Sequence, residues 1–246
     1  MIRKFFHNLS LFAVMTIPTT IRAQHLVFSG QQVGNGGDVV VCTHSPDNHY
    51  NGYYSLDYFL TQPRTPNPPE LVQVHDWETW SQEFLTIMKE KNIFLAKRFE
   101  TFLDYTANFY DFSRARIWIP SVTGLINLRD EHVIVRSLPT NCTNSPDGEP
   151  GANLMQAVIR ETGVNFIKYN YDFDIMEELR LNYPLQHSFT MFHEWLWDCF
   201  NAPHDVRNIR LTNRLLHRKN LADMPKKEFW RSLLNLGLQS HCRGSS

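Results

Sequence analysis

The sequence has no excess of charge of either sign. Its 246 residues include 24 Lys and Arg against 25 Asp and Glu, which gives a formal net charge of -1. Domains that bind nucleic acid or an anionic membrane surface normally carry a marked basic excess. We therefore expect no nucleic-acid partner, and the sequence identifies no other partner. The content of 42% hydrophobic and 13% aromatic residues predicts a folded chain with a substantial core.

The sequence also lacks an apolar run long enough to cross a bilayer, which takes roughly 20 residues. The apolar stretch 9–18 follows Arg3 and Lys4 and precedes a segment of small residues that ends at Ala23. This order is typical of a secretory signal. We predict that residues 1–23 are a signal peptide and that the mature chain, without a transmembrane anchor, is exported to the periplasm or secreted. An N-terminal core helix is the alternative.

Cysteine is sparse, and no two cysteines have the Cys-x-x-Cys spacing of a zinc ribbon or a thioredoxin-like redox pair. In an exported chain, an even number of cysteines favours disulfides. Cys42, Cys142, Cys199 and Cys242 allow three connectivities, of which we prefer Cys42 with Cys142 and Cys199 with Cys242. The second bridge would fix an otherwise loose C-terminal tail. Four buried free thiols are the alternative.

Glycine is scarce as well, yet the segment Gly34–Asp38 contains three of the 11 glycines. Such a concentration predicts a backbone with positive φ or a close approach to another segment. The segment lacks the Lys and the following helix of a P-loop and the third Gly of a dinucleotide-binding motif. We interpret it as a turn that leads into a buried strand at Val39–Cys42.

The remaining chain, residues 24–246, is predicted to be a single α+β domain, with small antiparallel β elements in the N-terminal half and a mainly helical C-terminal half. Asp76 is expected to cap a helix whose aromatic stripe belongs to the core, with a ligand groove as the alternative. Local patterns predict a strand or short helix at 53–59, a Pro-rich connector at 63–69, two amphipathic helices or one bent helix over 77–110, an antiparallel meander over 117–138, a short helix at 153–161, a strand at 164–169 and helices from 172 onward.

The predicted helix Leu185–Phe200 contains the pair His193-Glu194, which matches the opening of the zinc-protease helix motif. In that motif two His residues one turn apart bind the metal, and the Glu acts as general base. Here Trp197 occupies the place of the second His, so His204 and His217 are the nearest candidates for further zinc ligands. At helical spacing His193, Glu194 and Trp197 form a second face that is suited to line a cleft.

A basic stripe marks the next predicted helix, in which Arg207, Arg210, Arg214 and Arg218 recur every three or four residues. The stripe is either a solvated face or a surface that pairs with carboxylates of the preceding helix. In the second case Glu194 and Asp198 are the expected acidic partners, because buried carboxylates need compensation. Asn213 and His217 lie on much of the same face and are expected to complete a polar network.

Three stretches carry a resemblance to a known group of proteins. They are Gly34–Asp38, the helix segment His193–Leu196 and the segment Ile209–Arg214. Together they resemble exported proteins of predatory, Bdellovibrio-like bacteria, which have a Gly-Asn-Gly-Gly-Asp segment after the signal and a C-terminal His-Glu helix. The resemblance implies export and a pairing of the two C-terminal helices, but it implies no activity.

Our leading hypothesis is therefore a non-catalytic exported protein. The expected interhelical polar network contains His193, Glu194, Asp198, Arg210, Asn213 and Arg214. One alternative is a zinc-protease-like hydrolase, active or degenerate, in which His193 with His204 and His217 binds zinc and Glu194 is the catalytic base. Another alternative is a binding module that uses an aromatic surface. The leading hypothesis needs no cofactor, whereas the hydrolase needs zinc.

Overall fold

The structure is a computed structural model that describes residues 37–42, 52–61, 68–107, 116–121, 153–162, 167–200 and 206–243. The predicted signal peptide, Cys142 and His204 lie outside these residues. The fold class is confirmed, since small sheets occur in the N-terminal half and helices dominate the C-terminal half.

The described strands form two sheets of three strands each. In the first sheet, β1 (Asp38–Cys42) lies between β2 (Gly52–Ser55) and β4 (Asn153–Gln156), and both pairs are antiparallel. In the second sheet, β6 (Ile167–Asp172) lies between β5 (Val158–Thr162), which is antiparallel to it, and β3 (Arg116–Ser121), which is parallel to it. The predicted strand at 39–42 is thus confirmed as the centre of a sheet.

Two predictions for β structure need correction. Residues 153–161, predicted as a short helix, form β4 and β5 instead. These residues include many good helix formers. Pairing with β1 and β6 outweighs their helix propensity, which is less than about 1 kcal/mol per residue. The meander was predicted over 117–138, of which 122–138 lies outside the described residues. Its first strand, at 116–121, pairs in parallel with β6 and not with an antiparallel neighbour. A parallel pair needs a long crossover, and the chain between Ser121 and Ile167 supplies it.

The helical predictions agree more closely. The 53–59 segment, predicted as a strand or a short helix, supplies both β2 and the short helix that follows it. Asp76 caps the predicted aromatic helix by accepting a hydrogen bond from the backbone N–H of Thr79 at 2.7 Å. The described helices are α1 (Leu56–Leu60), α2 (Trp77–Lys91), α3 (Ile93–Ala107), α4 (Phe173–Asn182), α5 (Pro184–Trp197), α6 (Val206–Leu216), α7 (Lys226–Asn235) and α8 (Ser240–Arg243).

The aromatic stripe of α2 and α3 lies in the core, where it packs on α5. The ring of Phe84 lies 4.6 Å from that of Phe192, and the ring of Phe99 lies 4.8 Å from that of Trp195. All four side chains are at most 3% exposed. The helix α5 therefore forms the centre of the core, with α2 and α3 on one side.

The predicted disulfide between Cys199 and Cys242 is confirmed, with Cα atoms 5.5 Å apart. It ties the turn after α5 to α8, so the tail is fixed at Cys242. The other predicted bridge involves Cys142 and stays a prediction. Among the described helices, none combines the length and the apolar content that crossing a membrane requires.

Candidate functional site

The helix α5 is buried on all sides over most of its length. From Gln186 to Trp197 every residue is buried, including His193 at 2% exposure and Glu194 at 0%. The prediction that His193, Glu194 and Trp197 line a cleft is therefore wrong. That face is covered because α1 and β2, from the N-terminal half, pack against the helix.

A single carboxylate from the N-terminal half organises the polar side chains of α5 and α6. The His193 Nδ1–H donates to the Asp57 carboxylate, at 2.8 Å from Oδ2. Asn213 Nδ2 donates to the same Oδ2 and to the Phe189 carbonyl, both at 2.7 Å. Arg210 forms an ion pair with Asp57, with Nε 3.3 Å from Oδ1. Asp57 is only 3% exposed, so it is a shared, buried counter-charge for two helices.

The charges of this group support one another. Burial by itself would raise the pKa of Asp57, but the charge and hydrogen bond of His193, with Arg210 and Asn213, lower it. Burial would likewise lower the pKa of His193, and Asp57 overrides this effect and raises it. The pair is therefore an ionised carboxylate beside an imidazole that favours its charged form.

The second part of the site surrounds Glu194, whose two carboxylate oxygens have no hydrogen-bond partner in the described part of the chain. Gly37 approaches it closely: a Cβ built on Gly37 would lie 3.2 Å from Glu194 Oε1 and 2.8 Å from the Cβ of Val158. Burial is the main influence on Glu194, and it raises the pKa of this carboxyl group to about 7. The charges of His193 and Arg160 act against this shift, whereas the charge of Asp38 adds to it.

These contacts bring together parts of three segments that the sequence analysis singled out: Gly34–Asp38, His193–Leu196 and Ile209–Arg214. Gly37 and Asp38 end the Gly-rich segment and lie beside Glu194. His193 and Asn213 come from the other two stretches and meet on Asp57. We call the group Asp57, His193, Glu194, Arg210 and Asn213 the Asp57 cluster.

Two residues of the predicted network have other surroundings. Asp198 pairs with Arg160, a residue of β5, instead of with an arginine of α6. Arg214 is half-buried, and its Nη1 makes no hydrogen bond within the described ranges. Of the predicted basic stripe, Arg210 is thus the arginine that reaches a carboxylate of the Asp57 cluster.

His217, a candidate zinc ligand, is engaged at both ring nitrogens. Its Nδ1 lies 2.9 Å from the Asn213 carbonyl, and its Nε2 lies 2.7 Å from the Ser188 hydroxyl. Because a carbonyl only accepts, the proton lies on Nδ1 and Nε2 accepts from Ser188. Burial lowers the pKa of His217 to about 4, so the ring is neutral and stacks on Phe189 at 4.1 Å.

Sequence reasoning missed Asp57 and Arg160. Asp57 is an isolated charge within the apolar stretch Tyr53–Leu60, whereas Arg160 is followed directly by Glu161. A lone charge in an apolar stretch indicates a buried charge that needs a partner, and this signal was present in the sequence for Asp57. The identity of the partners, 136 positions away for Asp57 and His193, could not be derived from it.

The site has paired charges around Asp57 and, within the described ranges, polar atoms without hydrogen-bond partners at His193 and Glu194. His193 Nε2 and both Glu194 oxygens lack hydrogen-bond partners among the described residues. Within the same residues, no group of three His, Cys, Asp or Glu side chains is placed to hold a metal ion. Comparison of the chain with protein-family models, with curated proteins and with solved structures finds no match.

Proposed function

We propose that the chain is an exported, non-catalytic globular protein in which the Asp57 cluster is an interhelical polar network. The observation that carries the proposal is the convergence of His193, Arg210 and Asn213 on one carboxylate. These three side chains come from α5 and α6, whereas Asp57 comes from α1. The network therefore joins the N-terminal half of the chain to the C-terminal helices.

Burial of the cluster supports a structural role. His193, Asn213 and Asp57 are at most 3% exposed, so a substrate has no direct path to them. Removing one member of a buried charge pair leaves an uncompensated charge, at a cost of about 3 to 5 kcal/mol. A network of this kind specifies how two parts of the fold dock, since other packings would leave these charges unpaired.

The replacement Asp57→Asn tests the proposal. It keeps the size of the side chain but removes the charge that His193 and Arg210 share, and we expect it to lower the free energy of unfolding by about 3 to 5 kcal/mol. The measurement is urea-induced unfolding at pH 7, followed by tryptophan fluorescence. The control is Asp223→Asn, since Asp223 is exposed. Equal stability of the two variants would refute the network.

Export is supported by the disulfide between Cys199 and Cys242, because such bonds persist mainly in oxidising compartments. The resemblance to exported proteins of Bdellovibrio-like bacteria and the signal-like residues 1–23 point in the same direction. Export is tested by expressing the full chain in a bacterium and separating the periplasmic fraction from the cytoplasm. We expect the periplasmic fraction to contain mature protein that begins at Gln24. Full-length protein confined to the cytoplasm would contradict the proposal.

A zinc-protease-like hydrolase is the second candidate, and one observation favours it. His193 donates its Nδ1–H to a carboxylate and leaves Nε2 without a hydrogen-bond partner among the described residues, which is the arrangement found in many zinc-binding histidines. Glu194 follows directly and has two unpaired oxygens. A catalytic zinc normally has three protein ligands, and His217 is engaged elsewhere, so the described residues supply an incomplete ligand set.

Metal content separates the two candidates. The hydrolase predicts one zinc per chain in the purified protein and its loss in His193→Ala. His75→Ala is the matched control, because His75 is exposed. Zinc that is retained in the control and lost in His193→Ala would overturn the non-catalytic proposal.

A further inference from the structure

We infer that a cavity between α2, α3, β6, α4 and α5 binds an uncharged, mainly apolar small molecule. Its volume is about 520 Å³, within the range of roughly 300 to 1,000 Å³ that is usual for small-molecule sites. None of the residues that line it belongs to the Asp57 cluster. The inference is thus independent of the proposed network.

The walls are mainly apolar. Trp77, Met191, Met176 and Leu103 contribute an indole ring, two thioethers and an aliphatic side chain. Methionine adapts its shape to different occupants, which is useful in a binding site. Phe173 also lines the cavity and is 49% exposed, so it forms part of the rim.

Several polar groups of the cavity are already engaged within the protein. The Ser81 hydroxyl donates to the Glu78 carbonyl at 2.9 Å, and the Thr106 hydroxyl donates to the Leu103 carbonyl at 3.0 Å. Both hydroxyl groups therefore already donate a hydrogen bond within the protein. They add polarity to the wall without requiring a polar occupant.

His187 is different, since it lines the cavity at 5% exposure and its Nδ1 has no hydrogen-bond partner in the described part of the chain. Its ring contacts Trp77 edge-on at 5.6 Å. Native structures rarely leave a buried polar side chain without a hydrogen bond. An occupant with one hydrogen-bonding group would provide His187 with the missing partner.

The charges around the cavity select against an anion. Burial lowers the pKa of His187 to about 3, so the ring is neutral. Arg180 is held by Glu177 through two hydrogen bonds, at 2.9 and 2.7 Å. Glu78 adds a further negative charge at the wall. An anionic group would find no unpaired cation among the described lining residues, and its desolvation in apolar walls would be uncompensated.

Two fluorescent probes with the same apolar body test the inference. N-phenyl-1-naphthylamine is uncharged, and 1-anilinonaphthalene-8-sulfonate carries an added sulfonate. Titration of the folded, oxidised protein is expected to show saturable binding of the uncharged probe at one site, with a Kd at least tenfold below that of the sulfonate. Equal binding of both probes, or a signal that does not saturate, would overturn the inference.

Matched variants on α4 locate the probe. Phe173→Ala removes an exposed ring that lines the cavity, whereas Leu181→Ala removes an apolar side chain that is 60% exposed and outside it. We expect Phe173→Ala to weaken binding about five- to tenfold and Leu181→Ala to leave it unchanged. His187→Phe keeps an aromatic ring and removes both nitrogens, and it is expected to weaken binding as well. Both α4 positions are exposed, so we expect both variants to fold. Equal affinity of the two alanine variants would refute the site.

Discussion

Replacement of Glu194 by Gln is expected to stabilise the protein at high pH relative to low pH. Gln resembles the protonated form of Glu in size and carries no charge at any pH. Glu194 is completely buried, and both its oxygens lack partners within the described ranges. The variant therefore removes the cost of burying this carboxyl group, and that cost exists only at pH values where Glu194 ionises in the unfolded chain.

The magnitude follows from the difference in pKa between the folded and unfolded chain. Burial raises the pKa of Glu194 from 4.5 to about 7, and each unit corresponds to about 1.4 kcal/mol. Below pH 4.5 both states are protonated, so Glu194 contributes no penalty. Between the two values the unfolded chain ionises first, and the penalty grows with pH. Above pH 7 it levels off at about 3 kcal/mol.

The assay is urea unfolding of wild type and Glu194→Gln at pH 4.5 and pH 8, with the disulfide intact. His187 and His217 also titrate differently in the two states, since burial lowers the pKa of each. Their contribution is present in both proteins and cancels when the free energy of unfolding of wild type is subtracted from that of Glu194→Gln. We expect that difference to shift by about 3 kcal/mol in favour of the variant at pH 8.

A difference that does not change with pH would refute the reasoning, because it would mean that Glu194 ionises at an ordinary pKa or has a partner that compensates its charge. Glu228→Gln is the control, since Glu228 is exposed on α7. It is expected to show no comparable shift. A shift of opposite sign in Glu194→Gln would show that ionised Glu194 stabilises the fold.

Two further predictions concern the backbone and the disulfide. Gly37→Ala places a Cβ 2.8 Å from that of Val158 at a φ of 63°, and urea unfolding is expected to show a loss of about 1 to 3 kcal/mol. Gly237→Ala also has positive φ but no contact closer than 3.7 Å, so its smaller loss of about 1 kcal/mol is the control; equal losses would contradict the role of the contact. Replacing Cys199 and Cys242 together by Ser should lower the free energy of unfolding by about 2 to 4 kcal/mol, and an unchanged urea midpoint would contradict it.

Sequence reasoning succeeded where neighbouring residues decide the structure. The Asp76 cap depends on Thr79, three positions away, and a capping side chain with an apolar stripe after it predicts a helix start directly. The buried strand at Val39–Cys42 follows from its β-branched residues in the same way. In both places the local preference and the tertiary contacts agree.

It failed where distant contacts overrule local preference. Residues 153–161 have good helix formers but form strands, because β1 and β6 offer backbone hydrogen bonds and a buried surface. The same holds for the site: the spacing of α6 predicted arginines facing α5, yet the carboxylate that Arg210 reaches is Asp57 on α1. A periodic pattern identifies which face of a helix is polar, but it does not identify which distant segment covers that face.

The charged groups near Glu194 act on its pKa together with burial. Asp57 and Asp198, unlike Glu194, have basic partners among the described residues: His193 and Arg210 for Asp57, and Arg160 for Asp198. Ionised Glu194 would place a buried negative charge without a hydrogen-bond partner among the described residues. The charge of Asp38 raises the pKa of Glu194 further, against the opposite effect of His193 and Arg160. Gly37 is suited to this position because any Cβ would press on Val158 and on the Glu194 carboxylate.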